Sequence, residues 1–276
     1  FPLTSISHVE TISCNENGFF PIYLSDRYGF NNPDTEWDKD SLEFLLIGDS
    51  FAHGDCVNEE DSLSGQLRSI VNSNHSIISL GHSGNGPLLE FASLKEYYPK
   101  DKKVRNVIWL YYEGNDLINL LNEKKSKILL NYLDDQNFSQ DLKSQQNKID
   151  KMILDYFLRA YKNSNQNKNE LKKNNVKNYF LTFLKIQELR VNIIDRFFES
   201  IDSDFSKILS LSNTFLKKND TRLFFVYIPE YYRYKNEVII QNSSRKYKKI
   251  LKIVKNLEIP IIDLKELIEN KDNPLS

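Results

Sequence analysis

Five short runs of Ile, Leu, Val and Phe without polar alternation constrain this chain more than any other feature: 43–48 (EFLLIG), 76–80 (SIISL), 104–111 (VRNVIWLY), 222–228 (RLFFVYI) and 259–263 (IPIID). A strand with one wet face alternates apolar and polar residues. A run this short that does not alternate suits cover on both faces, as in a parallel sheet flanked by helices. The segments between the first three runs have helical spacing. Leu63, Leu67, Ile70 and Val71 mark one face, while Leu88, Leu89, Ala92 and Leu94 to Tyr97 mark another, entered through Asn85-Gly86-Pro87 with proline near the first turn. Strand-helix-strand-helix-strand order argues for a doubly wound α/β domain with a parallel five-stranded sheet.

That rhythm breaks between 117 and 215, where no strand-like run occurs. Amphipathic stretches at Ile149 to Tyr161 and Tyr179 to Phe198 flank the polar tract 162–178 (KNSNQNKNELKKNNVKN), which reads as a large helical insertion with a solvated loop. Residues 1–42 carry no regular periodicity beyond GFFPIYLS at 18–25, and SDRYGFNNPD at 25–34 is turn-rich, so they are expected to form an arm around the domain at 43–276.

Lys and Arg total 37 against 38 Asp and Glu, a formal net charge of -1, which carries no basic excess to argue for a nucleic-acid partner. No apolar run approaches the roughly 18 to 20 residues of a membrane span. The chain opens on Phe1 rather than Met, so a signal peptide or anchor could have stood upstream, and its absence does not argue for the cytoplasm. Cys14 and Cys56 allow a single pairing, either two buried thiols or one bridge pinning the arm beside residue 50. The bridge needs an oxidising compartment, so an extracytoplasmic location, periplasmic or membrane-anchored, is favoured over the cytoplasm.

Ligands of an open parallel sheet sit outside the carboxyl ends of its strands. After the first three runs the sequence reads Gly48-Asp49-Ser50-Phe51, Gly81-His82-Ser83-Gly84-Asn85 and Glu113-Gly114-Asn115-Asp116. A serine hydroxyl at a strand-to-helix turn attacks an ester carbonyl once a base takes its proton. The backbone N–H groups of Ser50 and Gly84 and the Asn115 side-chain amide then supply three donors for the oxyanion. The chemistry needs neither metal nor organic cofactor.

GDSF at 48–51, Gly84 in GHSGNGP and Asn115 in GND together resemble the first three blocks of the SGNH (GDSL-like) hydrolase superfamily, in its esterase and acyltransferase branch. The resemblance covers residues 43–118 and the last two strands. It implies a three-layer flavodoxin-like fold, ester hydrolysis or O-acyl transfer through an acyl-serine, and a structural role for Asp49 near the turn. Glu113 stands where the family usually has glycine, with Gly114 shifted by one. The family's base histidine commonly lies three residues after an aspartate near the C-terminus. Asp263 occupies the aspartate's place and would orient that imidazole, yet residues 264–276 contain no histidine.

Two accounts of the gap stand: a histidine beyond Ser276, which is preferred, or service by His53 or His82. These two are otherwise expected near the substrate, as are Tyr231 and Arg233 in YIPEYYRYK at 227–235. The expected partner is a small ester or O-acylated carbohydrate. The alternative function is a non-catalytic carbohydrate-binding module lacking its base. A nucleotide-binding flavodoxin-like protein ranks last, because no G-x-G-x-x-G or P-loop follows the first strand.

Overall fold

The computed structural model describes residues 1–16, 18–166, 187–234 and 237–270. Each of the five apolar runs holds a strand: β3 (Ser41–Gly48), β4 (Ser76–Ser79), β5 (Lys103–Tyr112), β6 (Arg222–Ile228) and β7 (Ile261–Asp263), where β1 and β2 are two short strands of the arm described below. They form one parallel sheet in the order β4-β3-β5-β6-β7. The order steps outward in both directions from β3, so the winding reverses between β3 and β5 and leaves a crevice at their carboxyl ends.

Helices cover both faces, giving three layers. One face packs α3 (Pro87–Tyr97), the long α7 (Gln187–Lys218) and α8 (Glu237–Asn256) onto the sheet, burying Leu45, Ile47, Trp109, Phe225, Leu94, Phe205, Ile208 and Val254. The other face is smaller. There Leu46, Ile77, Leu110, Val226 and Ile228 meet α1 (Ser50–His53), α2 (Leu63–Ile70) and α9 (Leu264–Glu269) through Ala52, Leu67 and Leu264.

The apolar stripe of α2 differs from its sequence reading. Leu67 and Val71 pack on the sheet, but Leu63 and Ile70 are exposed, the latter at 78%. The inward positions include Arg68, whose guanidinium reaches the Ile77 carbonyl at 2.8 Å and Asn32 Oδ1 at 2.8 Å and pairs with Glu59. A satisfied arginine thus holds a place that hydrophobic spacing gives to leucine.

Within 117–215, α4 (Asp116–Glu123), α5 (Lys127–Asp134) and α6 (Gln146–Gln166) precede α7. This interval is not wholly peripheral: Leu120, Leu129, Tyr132, Ile201, Phe205, Ile208 and Leu209 are buried in the main core. Residues 167–186, which include most of the polar tract and the start of the expected helix at Tyr179 to Phe198, lie outside the described residues.

The arm is more regular than its sequence suggests. β1 (Glu10–Ile12) and β2 (Ile22–Leu24) pair antiparallel, Ile12 opposite Ile22. A disulfide joins Cys14 to Cys56, with 4.7 Å between their Cα atoms. The bridge fastens this ribbon to the loop that follows α1.

Candidate active site

Strand register brings the loop tips together. Gly48 pairs with Leu110, Leu110 with Val226 and Val226 with Ile262, so four strands reach the same row before their carboxyl-end segments begin. On the other side of β3, the Leu80 amide donates to the Leu46 carbonyl at 2.8 Å and the His82 amide to the Gly48 carbonyl at 3.4 Å. The segments carrying Ser50, Gly84 and Asn115 therefore emerge from three adjacent strands, with β3 in the middle.

Ser50 opens α1, capped by Asp49, whose Oδ1 accepts from the Phe51 amide at 3.0 Å. Gly48 is required by crowding: a Cβ there would lie 2.9 Å from the Leu110 carbonyl oxygen and 3.0 Å from Ala52 Cβ. Gly84 is required for a different reason. A Cβ would meet nothing within 4 Å, but φ is +80°, in the left-handed region that glycine enters at no steric cost. Asn115 occupies the N-cap of α4 without making a side-chain cap bond, and its Oδ1 has no partner. Among the described residues, neither the Ser50 nor the Gly84 backbone N–H donates to a protein acceptor.

Asp49 links two of these groups. Its carboxyl is fully buried, and burial pushes its pKa up, while the Phe51 amide and the side chains of Asn115 and Ser50 pull it down by hydrogen bonding. Ser50 and Asn115 thus face one buried carboxyl from two strands. Below it lie Glu90 of α3 and Asp116 and Glu123 of α4, all buried. Burial first, and then the charges of Asp49 and Glu123, raise Glu90 well above its ordinary range; burial, Glu90 and Asp49 do the same for Asp116. Among the described residues, Glu90 Oε1, Asp116 Oδ1 and Asp49 Oδ2 have no hydrogen-bond partner. Keeping a proton to higher pH than usual relieves this crowding of buried carboxyls.

The sequence matches no family model and no curated protein.

The remaining candidates separate by position. His53 is buried; its Nδ1 meets the Gly81 carbonyl at 3.2 Å and its Nε2 lies 3.4 Å from Asp55 Oδ1. Burial lowers its pKa, against the charge of Asp55. Nδ1 joins α1 to the loop after β4, and Nε2 faces the loop that follows α1. His82 is half-buried, with Nδ1 3.2 Å from the Ser83 carbonyl and Nε2 3.4 Å from Ser5 Oγ. Among the described residues no histidine nitrogen hydrogen-bonds to Ser50 Oγ.

Asp263 ends β7 and caps α9, accepting from the Lys265 amide at 3.0 Å and from the Tyr247 hydroxyl. Each carboxylate oxygen keeps a further lone pair for an imidazole N–H. Three strand spacings, roughly 14 Å, separate its strand from that of Ser50. Tyr231 begins a 3₁₀ turn just after β6 and is 50% exposed. The side chain of Arg233, in the same turn, lies outside the described residues.

The sequence reading missed the aromatic flank of Ser50. Phe51 is 42% exposed and packs on Tyr112, with ring centroids 4.8 Å apart. Burial, then the charges of Glu230 and Asp49, push the Tyr112 phenol up to about 12, so it keeps its proton at neutral pH. Both residues adjoin the quoted blocks, and adjacency to Ser50 was the available signal. The carboxyls of Glu90 and Glu123 were also missed. The sequence carried no separate signal for them, since an acid at a helix position is ordinarily solvated.

Proposed function

We propose that this chain is an SGNH-type serine esterase or acyltransferase on a flavodoxin-like, doubly wound frame. Ser50 Oγ attacks an ester carbonyl, and its proton goes to a base imidazole oriented by Asp263. The negative charge that develops on the carbonyl oxygen is met by the backbone N–H groups of Ser50 and Gly84 and by the Asn115 amide. Collapse of the tetrahedral species expels the alcohol, protonated by the same imidazole, and leaves an acyl-serine. Water or a carbohydrate hydroxyl then takes the acyl group. Phe51 and Tyr112 form an apolar wall for the acyl group, with Tyr231 toward the alcohol side.

The observation that carries this reading is the pair of backbone N–H groups, at Ser50 and Gly84, that donate to no protein acceptor among the described residues, beside a serine and an asparagine that face one buried carboxyl. The disulfide supports an extracytoplasmic location. A fluorophosphonate probe on the full-length protein tests the proposal. Label is expected on the peptide containing Ser50, and Ser50→Ala should abolish both labelling and turnover of short-chain p-nitrophenyl or acetyl-sugar esters. Turnover unchanged in Ser50→Ala overturns it. With an acetyl donor and an added glycan, acetate appearing free marks an esterase and acetate on the glycan marks a transferase.

A further inference from the structure

Two of the three proposed oxyanion donors belong to different elements, and one buried side chain ties those elements together. Glu123 ends α4, the helix that Asn115 caps. Its carboxylate crosses to the loop that carries Gly84: Oε1 accepts from the Gly86 amide at 2.5 Å, and Oε2 from the Leu88 amide at 3.0 Å and the Leu89 amide at 3.4 Å. One carboxylate thereby satisfies the first free amides of α3, where no side chain of the N-cap does so. A second tie runs in parallel, from Asn119 Nδ2 to the Asn85 carbonyl at 3.1 Å. The fit is close, since a Cβ on Gly86 would stand 2.7 Å from Asn119 Cβ and 2.9 Å from Glu123 Oε1.

From this geometry we infer that Glu123 is a positioning residue for the acyl-transfer site: as a carboxylate it clamps the Gly84 loop against α4 and sets the distance between the Gly84 N–H and the Asn115 amide. The inference rests on the oxyanion role proposed above for those two groups. A protonated Glu123 has one oxygen that must donate, and it would face amides that also donate, so the clamp loosens on protonation. The charged and titratable groups facing it are Glu90 from α3 and Asp116 from its own helix, both acidic. The adjoining Lys124 is occupied with Asp204 of α7. Burial lifts Glu123 to about 7 against the pull of the three amides.

The test compares Glu123→Gln, Asn119→Ala and the unaltered full-length protein in steady-state ester hydrolysis across pH. Donor placement matters in the transition state and little in substrate binding, so Glu123→Gln should lower kcat by on the order of tenfold to a hundredfold with KM nearly unchanged. In the unaltered protein kcat/KM should fall by a similar factor as pH drops through about 7, in addition to the limb belonging to the base. That step should be missing from Glu123→Gln and present in Asn119→Ala, which loosens the same loop without removing a titrating group. Fluorophosphonate labelling of Ser50 in each variant reports that the fold and the nucleophile survive. If Ser50 is labelled and required but the step near neutrality persists in Glu123→Gln, or the loss falls on KM alone, the positioning role is wrong and the acyl-transfer reading stands. If Ser50 proves dispensable, both fall together.

Discussion

Replacing Glu90 with glutamine is expected to stabilise the fold at neutral pH, with an advantage that shrinks toward acid. Glu90 is fully buried, its Oε2 accepting from Trp109 Nε1 and its Oε1 without a partner. Burial, and then the charges of Asp49 and Glu123, hold the native carboxyl's pKa well above its ordinary 4.5, so the native state keeps this proton to higher pH than the unfolded chain does. For a carboxyl raised in the native state the unfolded state ionises first. Its contribution is therefore whole below the unfolded pKa and declines as pH climbs toward the native one. While the native group holds this proton and the unfolded one does not, the loss is about 1.4 kcal/mol per pH unit. Glutamine keeps the shape and an acceptor for Trp109, does not titrate, and presents N–H donors toward Asp49 and Asp116. Urea unfolding of both proteins at about pH 5, 6, 7 and 8 provides the assay. The gap should widen in favour of the variant as pH rises, by up to about 1.4 kcal/mol per unit. A gap that stays constant over that range refutes the reasoning, because it means that native Glu90 is already ionised.

Two glycines of one loop should respond oppositely to alanine. Gly84→Ala costs about 1–2 kcal/mol for its left-handed φ, folds because its Cβ meets open space, and loses kcat in the ester assay. At Gly81 a Cβ would stand 2.4 Å from the His53 amide nitrogen, so Gly81→Ala should cost more than Gly84→Ala and show itself in the melting temperature. Reducing Cys14–Cys56, or replacing both cysteines by serine, removes a cross-link spanning a sequence separation of 42 residues. That loop length is worth about 4 kcal/mol, and melts that coincide with and without reductant would contradict it. Asn32→Ala strips partners from the buried Ser79 amide and carbonyl and from Asp26, and should destabilise by about 2–4 kcal/mol in denaturant unfolding.

The sheet was legible because burial on both faces removes the polar alternation that would otherwise blur a strand into a helix. That is why β3 and β6 coincide closely with EFLLIG and RLFFVYI. The ribbon of the arm was not legible, since three-residue strands with exposed Ile12, Ile22 and Leu24 show no buried period. The placement of Ser50, Gly84 and Asn115 along one carboxyl edge could be read because each stands within a few residues of an apolar run's end, and strand register then fixes where that end points. The acids could not. Glu90, Asp116 and Glu123 are charged residues at helix positions where solvation is the ordinary expectation. Only the three-dimensional packing of α3 against α4 shows that water is excluded from them.

The arm shows why the fold and the site cannot be argued separately. Asp26 is fully buried and accepts from the Tyr28 and Phe30 amides, Asn32 Nδ2 and Trp37 Nε1, which pins the turn DRYGFNN into one shape. From that turn Asn31 Nδ2 reaches the His53 carbonyl at 3.0 Å, behind α1, and Asn32 grips both the amide and the carbonyl of Ser79, at the end of β4. One turn thus holds the backbone behind Ser50 and the strand that delivers Gly84. Glu123 holds the Gly84 loop to the helix of Asn115 from the other side. Each proposed donor is therefore fixed by a polar group whose own partners are internal, so its position does not depend on a bound ligand. A site assembled this way resists reorganisation when charge develops on a substrate oxygen, which is the condition for fixed donors to lower a barrier in place of mobile water.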